Sequence, residues 1–84
     1  MDTRKAVAVR IQQLCAEHGY TINSLARKSA VAPSTVKSIL NGDSKNPGIV
    51  TIKLLCDGME ISLHDFFDAP MFKSMDMEDL EDGD

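Results

Sequence analysis

The chain has 84 residues, 43% of them apolar and 26% charged, with a formal net charge of −4 and an aromatic complement of three Phe, one Tyr and no Trp. That length fits one domain with an aliphatic core, small enough for dimerisation to be a natural source of added stability. Two cysteines, Cys15 and Cys56, exclude a disulfide framework, no apolar run is long enough for a membrane span, and the opening MDTRKAVAVR has no signal-peptide core, so reduced thiols and a cytoplasmic location are expected.

The charge is uneven along the chain. Residues 1–64 carry eight Lys/Arg against five Asp/Glu, while residues 65–84 carry one Lys against eight Asp/Glu. This is a mildly basic body with an acidic tail.

Helical periodicity runs through about the first 67 residues and is expected to end at Asp68. Val7, Ile11, Leu14 and Cys15 recur at helical spacing and predict a first helix over 3–18, capped by Asp2 or Thr3 and ended by Gly19. Thr21 is a good N-cap for a second helix reaching Ser29, with Leu25 and Ala26 inward. A third begins at Pro33, where the missing N–H costs nothing, and ends near Asn41 at the turn signal NGD. A fourth starts between Pro47 and Ile49 and is expected to direct Ile49, Ile52, Leu55, Cys56 and Met59 inward, with Gly58 weakening its last turn by roughly 1 kcal/mol relative to Ala. A short fifth follows from SLHD, where Ser62 and Asp65 have capping-box spacing and Leu63, Phe66 and Phe67 close the core.

The stretch LARKSAVAPSTVKSIL, Leu25 to Leu40, needs its own explanation. Helix extension is easier than nucleation, so a helix that stops at Ser29-Ala30 and restarts at Pro33 does so for a reason. With about 100° per residue, Val36 and Ile39 of the third helix fall on one side, and Pro33, Ser34, Lys37, Ser38 and Asn41 on the other. That outer face holds small side chains, hydroxyls, one amide, one cation and no acid. It suits the DNA major groove, which admits one helix and presents hydrogen-bonding base edges; the competing reading is an ordinary solvated face. Two helices joined by a tight turn form a helix-turn-helix, whose second helix enters the groove.

From Thr21 to Gly42, TINSLARKSAVAPSTVKSILNG resembles the helix-turn-helix core of the phage repressor and Cro type, the XRE family. The matching positions are Thr21, Leu25, Ala26, Val31, Ser34, Thr35, Val36, Ile39 and Gly42, without a gap, and the likeness continues through NPGIVTIKLLCDGMEISLHDFF to cover about residues 4–67. The resemblance implies an all-α, compact five-helix domain of the lambda-repressor-like kind that binds double-stranded DNA as a homodimer on a roughly palindromic operator. It places Pro33, Ser34, Lys37 and Ser38 where family members touch bases. Thr21, Thr35, Asn41, Ser44, Lys45 and Asn46 stand where they commonly touch phosphates.

The chain departs from the family pattern at several points. Ile22 stands where many members have a phosphate-binding Gln. Ala30 replaces the usual turn Gly, at a cost of roughly 1–2 kcal/mol if its φ is positive. Pro33 has no side-chain donor and, with Ala32, is suited to a thymine methyl or to shaping the helix start. Cys15 and Leu40 replace an Arg and a Glu that pair in many members; losing both charges avoids their desolvation, so Cys15 and Leu40 are expected to touch.

Other readings of these residues are plainer. Cys15, His18, Cys56 and His64 show no metal-ligand spacing, and both cysteines lie on apolar faces where thiols are inert, so no metal, no cofactor and no enzyme activity are expected. Arg4, Lys5, Arg10, Arg27 and Lys28 read as surface charge or as non-specific phosphate attraction, and Lys45 as a solvated turn residue or a phosphate contact. Pro70, Met71, Phe72 and Met75 either fold back on the fifth or first helix or make a dimer contact. Asp76 to Asp84 is expected to be disordered, or else to compete with phosphate for the basic face.

The sequence therefore predicts a helix-turn-helix DNA-binding domain over 1–68 and an acidic, partly disordered tail over 69–84. The expected function is a sequence-specific transcriptional repressor. The alternative is a protein-interaction module on the same fold, antitoxin-like or an assembly partner, with weak DNA affinity.

Overall fold

The computed structural model describes residues 2–44 and 46–75. Lys45 and Asp76 to Asp84, with the phosphate contact and disorder expected of them, lie outside the described residues. The architecture is all-helical: α1 Thr3–His18, α2 Ile22–Ser29, α3 Pro33–Leu40, α4 Ile49–Gly58, α5 Leu63–Phe67 and α6 Pro70–Lys73. One core joins Val7, Ile11 and Leu14 of α1 to Leu25 and Ala26 of α2, Val36 and Ile39 of α3, Ile52, Leu55 and Cys56 of α4, and Phe66 of α5.

The caps explain the boundaries. Asp2 accepts from the Lys5 N–H at 2.9 Å and starts α1. Thr21 and Ser24 cap α2 reciprocally: Thr21 Oγ1 accepts from Ser24 N–H at 3.1 Å, and Ser24 Oγ accepts from Thr21 N–H at 2.9 Å. Ser62 accepts from Asp65 N–H at 3.0 Å and starts α5. The first four helices close alike, with a left-handed residue and a backbone bond reaching back five residues, the arrangement that satisfies carbonyls orphaned at a helix end. The bonds are Tyr20 N–H to Cys15 O, 2.9 Å; Val31 N–H to Ala26 O, 3.1 Å; Asp43 N–H to Ser38 O, 2.9 Å; and Ile61 N–H to Cys56 O, 3.0 Å. The left-handed residues are Gly19, Ala30, Gly42 and Glu60.

Four expectations are corrected. Ile49 is 57% exposed rather than inward, because it opens α4 before the turn that lies under α2. Gly58 is not a weak point but a necessity: it is buried, and a Cβ there would lie 2.1 Å from Ser29 Oγ and 3.0 Å from Ser29 N. Its bare backbone lets α2 and α4 cross closely. Arg10 is not plain surface charge. Its Nε donates to Phe66 O at 2.7 Å and its Nη2 to Asp65 O at 2.8 Å, so the guanidinium ties α1 to the C-terminal carbonyls of α5, where a cation also suits the helix dipole. Finally, helicity does not end at Asp68: α6 follows, Ala69 is buried, and the Phe72 ring sits 4.9 Å from Phe67 and 6.0 Å from Phe66. α6 thereby packs back toward α1 and α5.

Leu40, which would have been odd as an exposed residue, is half-buried and packs on the core, as does Cys15. Gln12 Nε2 donates to Leu40 O at 3.4 Å, which adds a polar bond between α1 and the end of α3.

Three stability changes follow from this packing. Gly58→Ala forces α2 from α4 and lowers stability by about 1–3 kcal/mol in urea denaturation. Ser29→Ala in the same chain restores only part of that, because the Ser29 backbone nitrogen also stands in the way. Ala30→Gly relieves the left-handed Cβ and raises stability by about 1 kcal/mol, or roughly 4–8 °C in melting temperature for a domain of this size. Arg10→Met takes the Arg10 donor from the Phe66 carbonyl and leaves the Asp65 carbonyl only the Asp68 N–H at 3.3 Å, and costs about 1–3 kcal/mol by the same denaturation measurement.

Candidate nucleic-acid interface

The interface is built on the break after Ser29. Ala30 adopts φ 55°, ψ 35°, Val31 turns inward to 8% exposure, and Ala32 is extended at φ −59°, ψ 138°. Proline at the first position of α3 fixes the restart. Val36 and Ile39 hold α3 to the core from one side, and α3 packs on both α1 and α2.

The opposite side of α3 is a stripe at helical spacing: Ser34, Lys37, Ser38 and Asn41. Ser34, Lys37 and Asn41 are exposed and Ser38 is half-buried. Pro33 and Thr35 are also exposed but flank the stripe, since a 100° step puts each of them well to one side of it. The Ser38 carbonyl is occupied by Asp43 N–H at 2.9 Å and Ser44 N–H at 3.3 Å, which folds the turn after α3 under the end of the stripe. Asn41 caps α3 with its side chain in solvent, Ser44 is half-buried and Asn46 is exposed.

Thr21 is placed at the exposed start of α2 with its Oγ1 already accepting from Ser24 N–H, which leaves its hydroxyl proton available to a phosphate oxygen. The first-turn N–H groups of Ile22 and Asn23 point out of the same helix end, a favourable place for an anion. At α3, no side chain caps the start, so the Ser34 N–H is another outward backbone donor. Sequence reasoning named side chains and missed these backbone groups; the signal was present in the N-cap Thr21, because a cap marks the end where donors lack partners.

It also left Asn23 unassigned and read Arg27 only as surface charge or non-specific phosphate attraction. Both line an open groove along α2 and the turn, together with Ala30, Ala32 and Pro33. They add an amide and a cation beside the α3 stripe. Lys28 is turned elsewhere, its Nζ 5.2 Å over the Tyr20 ring, which stacks on His18. The tight α1–α2 corner is pinned by that contact, and Lys28 and His18 have structural partners there.

Neither thiol belongs to this surface. Cys56 is in the core, where burial and then Asp57 push its pKa up, and burial raises that of Cys15 as well. Both are thereby moved away from the reactive thiolate form. Among the described residues, no helix is long and apolar enough to cross a membrane.

Comparison with known proteins agrees with this geometry. Residues 10–70 match the family model described as the Cro/C1-type HTH DNA-binding domain. The HTH-type transcriptional regulator SinR of Bacillus subtilis (strain 168) is 32% identical over 62 residues, which are 74% of this chain and 56% of that protein; the chain thus spans about half the length of this curated relative. Among solved structures, the prophage Lp1 protein 11 superposes with a TM-score of 0.76 at 36% identity, over 89% of this chain and 100% of that one. The wild-type restriction-modification controller protein C.Esp1396I superposes with a TM-score of 0.73 at 28% identity, over 77% of this chain and 82% of that one.

Proposed function

The chain belongs to the Cro/C1-type helix-turn-helix DNA-binding family, and on that premise we propose that it is a sequence-specific transcriptional repressor that binds a palindromic operator as a homodimer, in the cytoplasm, with α3 in the major groove. The observation that carries this reading is the acid-free polar stripe of α3, flanked by two helix starts whose backbone donors face outward.

In this reading Ser34, Lys37 and Ser38 meet base edges, and Pro33 offers an apolar contact to a thymine methyl. Thr21, Thr35, Asn41, Ser44, Lys45 and Asn46 serve the phosphates, with Arg27 added from the α2 groove. The exposure of Thr35 on a flank of α3, away from the stripe, supports its assignment to backbone rather than bases. Ile22 replaces a polar anchor, but its own N–H stays at the helix start, so the phosphate contact passes from side chain to main chain. Residues 1–68 form the DNA-binding domain and 69–84 an acidic appendage whose first turn, α6, closes over the core.

Direct readout is limited. One cation and two hydroxyls per copy make few forked contacts, each worth about 1–3 kcal/mol when well formed. DNA shape supplies part of the specificity. The names of the relatives, a transcriptional regulator and a restriction-modification controller, are in keeping with a regulatory role for this chain.

Selection of binders from a random duplex library at two salt concentrations tests the proposal. The expected product is a palindrome with half-sites about one helical turn apart. On that operator, Lys37→Ala should weaken binding by about 1–3 kcal/mol per half-site and relax preference at one base position, and Lys37→Glu should abolish binding. Recovery of no enriched sequence would refute sequence-specific binding.

A further inference from the structure

We propose that the outer face of α4 is the surface on which a second copy of this chain docks when two copies occupy adjacent half-sites; this rests on the homodimer reading above. Ile49, Val50, Lys53, Leu54 and Asp57 fall within an arc of about 140° on α4, opposite the buried Ile52, Leu55, Cys56 and Gly58. Val50 is 71% exposed, Ile49 57% and Leu54 39%, so three of the four exposed large hydrophobics among the described residues share this one face. Phe72, the aromatic member of the other apolar group considered for dimer contact, is already used within the chain, packing on Phe66 and Phe67.

The charges on the face select a copy of itself as the occupant. Lys53 and Asp57 are both on the arc and pair with each other in the single chain. A two-fold axis across α4 sets two such helices antiparallel, so that residue i of one meets residue j of the other and the reverse. With the axis between these two positions, Lys53 of each copy faces Asp57 of the other, and Val50 and Leu54 are covered beside them. The face is thus complementary to itself in charge as well as apolar.

Its size sets how the dimer forms. The three apolar side chains leave on the order of 300 Å² in water per copy, a patch at the small end of those that carry function. Two such patches fall well short of the roughly 1,200 Å² buried in stable complexes. The contact is therefore too small to hold free chains together, and acts once DNA holds two copies side by side at high effective concentration. It appears in equilibrium as cooperative filling of two half-sites.

The test uses the full chain and duplexes carrying one or two half-sites of the selected operator. Wild-type protein should be monomeric by sedimentation and should fill paired half-sites with a cooperativity factor between about 5 and 150. Leu54→Glu and Val50→Glu should keep single half-site affinity and lose the factor. Lys53→Asp alone and Asp57→Lys alone should each lose it, and an equimolar mixture of these two variants should regain it, because only an all-acidic face against an all-basic one restores the pairing between copies. Cooperative wild type with equally cooperative variants would overturn the α4 surface while leaving the homodimer standing. Variants that alter single half-site affinity and not cooperativity would assign the face to another occupant, such as the chain's own acidic end, and overturn it too. Wild type that fills paired half-sites independently would overturn both readings.

Discussion

The left-handed residue at Ala30 is the constraint on which the rest of the molecule depends. Without it, α2 would run past Ser29 until Pro33 interrupted it, and the chain could not turn back to bury Val31 and the inner side of α3. The Cβ of Ala30 makes that turn cost about 1 kcal/mol more than a glycine would. Burial of Val31 and the bond from its N–H to Ala26 O offset the cost. The turn is also held from behind. Ser29, the residue just before it, has its backbone only 3.0–3.1 Å from where a Gly58 Cβ would be, so the end of α2 is locked against α4 where the chain bends. The direction of α3 is therefore set by core packing through one close crossing and is not left to a flexible loop.

The same economy of chain governs the other corners. Each of the first four helices ends in a backbone bond reaching five residues back, and the segments between α1, α2 and α3 are only three residues long. Such corners leave little backbone for water to loosen. They need a left-handed residue each time, which is glycine at Gly19 and Gly42 and a strained residue at Ala30 and Glu60. Nothing in the structure explains why Glu60 is not glycine. The fifth and sixth helices are too short to stand alone, and they are held by long-range contacts: the Arg10 guanidinium on α5 carbonyls and the three-ring cluster of Phe66, Phe67 and Phe72. α1 thus reaches both the α3 side and the C-terminal side of the molecule, and α3 and the last helices share one support.

How legible this was in the sequence depended on whether the cause was local. Asp2, Gly19, Thr21, Pro33 and Ser62 each act within a turn of where they stand, and the helix limits they predict match those observed. The outer stripe of α3 follows from periodicity alone. Ile49, Gly58 and Arg10 were misread because their roles depend on what lies opposite. The spacing of Ile49 places it beside Cys56, but covering it would take another element at that end of α4. Gly58 reads as a weak helix residue until Ser29 is found against it, and the partners of Arg10 lie 55 and 56 residues away. The exposed side of α3 was legible as a surface and the main-chain donors at the helix starts were not, since those come from helix ends rather than from residue type.

If the chain binds as the homodimer proposed above, its charge distribution and the polar stripe of α3 are explained by sharing the load between copies. The body carries a surplus of only three positive charges over residues 1–64, and each phosphate contact contributes through released counterions in proportion to the cations engaged. With Lys37 as the one cation on the α3 stripe, a single copy has neither the electrostatic hold nor the forked base contacts for tight binding alone. Doubling the contacts across a palindrome multiplies the equilibrium constants, whereas strengthening one copy with more lysines would raise affinity for every sequence equally. In the proposed homodimer, a weakly basic domain with a short polar stripe would therefore keep discrimination high by needing two correct half-sites, and occupancy would rise steeply only above a threshold concentration of the protein.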